Sequence, residues 1–173
     1  GLRVISFILG LVSCFVILSG IMIWLVARDK KNIPEKRRKF NEQVANWYMA
    51  ICLTLLPVTA LEFIIVKFAP VVNMSFLYQT YFPIWLVATV FFILKKDIAF
   101  TNKWSLISGG ILGLLVPIAN GISTGNWMWV AYQNGYQHIL LIDLLWLILS
   151  IVSLWIAFFK LKTTRSELAP TNG

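Results

Sequence analysis

Three ionisable side chains interrupt the long apolar runs of this chain: Glu62, Lys67 and Asp143. An acid or amine at the centre of a membrane helix costs about 2.5–3.5 kcal/mol, so such groups face protein or water rather than hydrocarbon. They could share a proton or a water, pair across helices, or line a polar pocket. The single histidine, His138, opens the last apolar run. It reads as an interfacial residue or a proton carrier near the surface. One imidazole cannot supply both axial ligands of a bis-histidine haem. Cys14 and Cys52 lie in apolar runs without CxxC or Cys/His spacing. They read as small packing residues, and no metal site is expected. Without a nucleophile elbow, P-loop, HExxH or dinucleotide fingerprint, catalysis by this chain alone is not expected.

The elements that must position these groups follow from composition. The 173 residues are 59% hydrophobic and 13% charged, outside the balance of a soluble domain. The apolar residues fall in blocks of about 20, the length a helix needs to span ~30 Å of hydrocarbon. This predicts an all-α membrane protein, a bundle of about five transmembrane helices with short loops. One membrane domain would cover residues 1–162, with spans at about 4–27, 45–68, 76–94, 104–121 and 138–159. A polar cytoplasmic tail would cover 163–173. Pro57 removes a backbone donor mid-span and predicts a kink.

The net charge of +8 does not imply nucleic acid, because the basic residues flank the spans instead of forming a basic face. Seven lie in the loop at 28–44, three in 95–103 and three after Phe159, leaving only Arg3 and Lys67 elsewhere. By the positive-inside rule those three segments are cytoplasmic, which puts the N-terminus outside. The first apolar run lacks the cationic start and A-x-A site of a signal peptide, so the chain reads as a piece of a longer protein.

On this topology Glu62 lies about 9 Å inward from the outer end of its span and Asp143 about 8 Å inward from its own. The matched depths suggest an outer-half polar pocket of Glu62, Asp143 and Lys67. A structural interhelix pair, or a neutral acid bonded to a backbone carbonyl, would explain them too. Lys67, at the rim, would snorkel to water. Trp127, Trp129, Tyr132 and Tyr136 mark an outer loop, Ile122 to Gln137, resting at the membrane interface. Gly109, Gly113, Pro117 and Gly121, each four apart, form a stripe for close helix packing or for a cofactor against that face.

Two stretches carry a family resemblance. One is Gly10-Leu11, then Leu18-Ser19-Gly20-Ile21-Met22-Ile23-Trp24, then Arg28. The other is Ser123-Thr124-Gly125-Asn126-Trp127, followed by Ile142-Asp143-Leu144. Together with the order of spans and loops, they resemble the PepSY-associated transmembrane helix family of bacterial inner-membrane proteins. The resemblance implies the C-terminal membrane module of a larger protein, with a periplasmic PepSY domain and histidine-bearing helices upstream of Gly1. Some relatives of that kind are implied to hold b-type haem and to reduce ferric siderophores in iron uptake. The haem ligands would then lie outside this sequence, and the chain itself would hold no cofactor. Its partners would be the lipid bilayer, the missing N-terminal part and a ferric siderophore. A non-enzymatic anchor for a periplasmic PepSY domain and a small-solute transporter subunit are the alternatives. The lack of an internal repeat weighs against transport.

Overall fold

A computed structural model describes residues 34–160 and, before them, residues 9, 16, 19, 20, 23, 24 and 27. Most of the predicted span at 4–27, and the tail at 163–173, lie outside the described residues. The chain is an all-α membrane protein. The described residues form helices α1 (Glu35–Leu53), α2 (Leu55–Phe68), α3 (Met74–Lys95), α4 (Ile98–Thr124), α5 (Met128–Gln133) and α6 (Gln137–Trp155). A π-turn, Ile156–Lys160, continues α6. Among the described residues four stretches are long and apolar enough to cross a bilayer: Glu35–Phe68, Met74–Lys95, Ile98–Thr124 and Gln137–Phe159. The chain divides into two compact units, 1–45 and 46–173.

Local chemistry sets the helix ends. The carbonyl of Pro34 accepts from the amides of Arg37 and Arg38 and so opens α1. Proline suits such a start because its φ is already near the helical value. The helix therefore takes in much of the basic segment expected as a loop at 28–44. Within it, Lys39 pairs with Glu35 at 3.0 Å and Arg38 with Glu42 at 3.5 Å, each four residues apart. Asn73 caps α3 by accepting from the Phe76 amide at 2.8 Å, and Asp97 caps α4 by accepting from Phe100 at 3.0 Å. Gly125, at φ 70°, ends α4 in the left-handed region that glycine enters without a side-chain clash.

Between α1 and α2 the helix is interrupted at Thr54, three residues before Pro57. A proline nitrogen cannot donate to the carbonyl four residues back, here that of Leu53. The Thr54 hydroxyl turns onto the carbonyl of Ala50 at 2.7 Å, a back-bond that bends helices further.

The core is formed by α2, α4 and α6. Ala60, Val116 and Trp146 are buried together, with Leu56, Ile64 and Leu112 packed around them. The backbones come close because α4 presents glycine. A Cβ on Gly109 would lie 2.8 Å from Leu56 Cδ2, one on Gly110 2.6 Å from Leu154 Cγ, and one on Gly113 against Ser150 Oγ. Helix association in lipid depends on this kind of packing, since hydrocarbon gives no hydrophobic drive between helices. Large apolar side chains instead cover the outside, among them Leu86, Val87 and Leu94 on α3 and Leu141, Ile148 and Ile151 on α6.

Candidate functional site

Alternation of the spans brings the C-terminal ends of α2 and α4 together with the N-terminal ends of α3 and α6. Hydrogen bonds at this end of the bundle organise the three ionisable groups into two sets.

The first set joins α2, α4 and α6. Lys67 Nζ donates to Asn120 Oδ1 at 2.7 Å, and Asn120 Nδ2 donates to Asp143 Oδ2 at 3.1 Å. Asp143 is 2% exposed and Asn120 is buried with it. Lys67, expected to snorkel to water, turns onto Asn120 instead. The orientation of that amide follows from its neighbours: oxygen toward the ammonium, NH2 toward the carboxylate. An amide so placed gives the half-buried ammonium and the buried carboxylate a charge-assisted hydrogen bond each without bringing them into contact. Asn120 also works through its backbone. Its carbonyl accepts from the hydroxyls of Thr124 at 2.7 Å and Ser123 at 3.3 Å.

The second set joins α2 and α3. Glu62, 8% exposed, accepts from Thr80 Oγ1 at 2.5 Å through Oε1. Its Oε2 is buried with no hydrogen-bond partner among the described residues. The structure thus connects Lys67 to Asp143 by way of Asn120 and gives Glu62 a different partner, Thr80. No hydrogen bond links Glu62 to either of the other two.

Glu62 and Thr80 belong to a longer seam. Thr59 Oγ1 meets Tyr81 OH at 3.2 Å, Trp85 Nε1 donates to Ile51 O at 3.4 Å, Thr54 meets Thr89 at 3.0 Å, and Asn46 Nδ2 donates to Ile93 O at 3.3 Å. Tyr81, Trp85, Thr89 and Ile93 are four apart and so share one face of α3.

No known protein family, curated protein or solved structure matches the chain.

The remaining predicted residues take their places around these sets. Gly109 faces Leu56 and Pro57 of α2, and Gly113 faces Ser150 and Trp146 of α6. Gly121 faces Trp127, whose ring would lie 2.6 Å from an added Cβ, and Pro117 is buried within α4. The stripe is thus filled by this chain's own side chains. The segment Ile122 to Gln137, expected as a loop, is largely helical: α4 runs on to Thr124, and Trp129 and Tyr132 lie on α5. Ala131, fully buried, anchors that short helix. Trp127 and Trp129 stack with centroids 5.2 Å apart and planes 6° apart. Trp129, Tyr132 and Tyr136 are exposed. His138 is exposed in the first turn of α6. Among the described residues no group of three His, Cys, Asp or Glu side chains could hold a metal ion.

Asn120 escaped the sequence reading because it is uncharged and hidden within a glycine stripe. An amide three residues past a proline in an apolar run was the available signal.

Proposed function

We propose that this chain is the C-terminal membrane module of a PepSY-type bacterial inner-membrane protein that takes part in haem-dependent reduction of ferric siderophores at the periplasmic face. Its N-terminus would lie outside and its C-terminus in the cytoplasm. One observation carries the reading. The two parts of the second stretch of the resemblance meet at one residue: the Asn120 carbonyl accepts from Ser123 and Thr124, and its side-chain amide donates to Asp143. Residues so joined give a physical reason for the two parts of that stretch to occur together.

The residues described here do not fit a bis-histidine haem. The lone imidazole is exposed at a helix mouth, and an axial ligand pair needs two. The module's part is therefore structural and electrostatic: a glycine-packed bundle, a compensated charge pair at one end, and exposed aromatic rings beside it.

Inner-membrane vesicles from cells with and without the intact reading frame test the proposal. Vesicles with the frame should contain a b-type haem that is reoxidised by ferric siderophore, and deletion should abolish both signals. Equal reoxidation in the two strains overturns the redox reading. Substituting His138→Ala in the intact frame should leave the haem spectrum unchanged.

A non-enzymatic anchor remains the second reading, favoured by the exposed apolar flank of α3, where Leu86, Val87, Val90, Phe91 and Leu94 are free for lipid or a partner helix. Loss of the periplasmic domain from the membrane without any change in haem would favour it.

A further inference from the structure

Glu62 is the one acid of the spans whose hydrogen bonding is incomplete among the described residues. Thr80 satisfies Oε1, while Oε2 is buried without a donor. Buried polar atoms are nearly always paired, and a buried charge without compensation costs several kcal/mol. The support from Thr80 is itself divided. Its single hydroxyl proton also has the carbonyls of Phe76 at 2.9 Å and Leu77 at 3.3 Å within reach. One helical turn before Glu62, Thr59 faces the Tyr81 hydroxyl, and Tyr81 follows Thr80 directly. Two pairs of oxygen-bearing side chains therefore meet at neighbouring levels of the α2–α3 contact. The other titratable groups of the spans at this end are Lys67 on α2, Tyr78 and Tyr81 on α3, and His138 and Asp143 on α6. Lys67 and Asp143 are engaged through Asn120, and α4 brings no charged side chain here.

We propose that Glu62, with the hydroxyls of Thr80, Thr59 and Tyr81, forms a binding site between α2 and α3 for an alkali-metal ion. The charge follows from the donor set. One carboxylate among neutral hydroxyls is compensated by a single positive charge, whereas a divalent ion would leave an excess charge in a low-dielectric setting. The donors are all hard oxygens, which suit alkali ions and not soft transition metals. Nothing in this proposal depends on the redox reading.

The test uses the purified full chain in nanodiscs of zwitterionic lipid, with a lipid-soluble carbodiimide as the probe of Glu62. Peptide mass spectrometry reads the adduct, and Asp143 serves as the internal comparison. Thermal unfolding is followed in parallel. If the ligand is an alkali ion, sodium or potassium chloride slows Glu62 labelling relative to choline chloride at equal ionic strength. A free ion concentration ten times the dissociation constant slows it about tenfold, and the same salt raises the unfolding temperature. Thr80→Val, which keeps the carboxylate, should raise the half-protecting concentration about tenfold, the loss of one hydrogen bond to a charged group. Glu62→Gln should remove the dependence of unfolding temperature on alkali salt. A wild-type protein in which neither Glu62 labelling nor unfolding temperature distinguishes alkali chloride from choline chloride overturns the proposal.

Discussion

Lys67 and Asp143 lie at opposite ends of one side-chain amide, that of Asn120, which accepts from the ammonium at 2.7 Å and donates to the carboxylate at 3.1 Å. Three helices are joined by this bridge, and its central member is neutral. Breaking a buried charged network by deleting one member is far more damaging than replacing the whole network with apolar groups.

Asn120→Leu is therefore expected to destabilise the protein by about 2–4 kcal/mol, measured by unfolding in mixed micelles. The triple variant Lys67→Met, Asn120→Leu, Asp143→Leu should recover most of that loss. Wild-type stability in the single variant would mean that the amide does not hold the two charges.

Close approach of α4 and α6 gives the next expectation. Gly113→Ala drives a methyl group into Ser150 Oγ and to 3.2 Å from the Trp146 ring, and Ser150 is held by its bond to the Trp146 carbonyl at 2.6 Å. Overpacking of this kind costs about 1–3 kcal/mol. Ser150→Gly removes the obstructing oxygen, so the double variant should lose less than the sum of the singles. Simple additivity would place the conflict elsewhere.

The α3 seam leads to a smaller number. Thr89→Val removes the hydroxyl that meets Thr54 at 3.0 Å, and an interhelical hydrogen bond in a bilayer averages about 0.6 kcal/mol. A loss near that value is expected from the same unfolding measurement. A loss several times larger would show that α3 depends on this one bond.

Orientation is testable with thiol labelling. Cys14 and Cys52 are first changed to Ser, and cysteine is then placed at exposed Ser123 or Lys103. An impermeant maleimide applied to the outer face should label Ser123→Cys at once, and Lys103→Cys only after the membrane is opened. The reverse pattern would invert the topology drawn from the basic residues.

Helical spans were legible from the sequence because block length and hydrocarbon thickness are the same quantity in different units. Glu62, Lys67 and Asp143 were legible because charge in an apolar run is rare. Their partners were harder to see. Thr54 and Thr80 can satisfy themselves on their own helix backbone, as both do here, so nothing in their sequence context announces a cross-helix bond. The inward turn of Lys67 depends on an acceptor 53 residues away, beyond any local pattern. The short helix α5 was read as a loop because its six residues are too few for a hydrophobic period.

The seam along α3 also bears on how the protein is made. A helix that is apolar on nearly every side enters a bilayer readily in any rotation, since lipid does not distinguish one of its faces from another. The hydroxyls of Thr80, Tyr81 and Thr89 and the Trp85 indole then act as an index. They choose one rotation and one vertical offset against the neighbouring helix after insertion is complete. Variants that erase this index should still insert in normal amount, yet dock in several arrangements, so biogenesis would fail at assembly and not at entry.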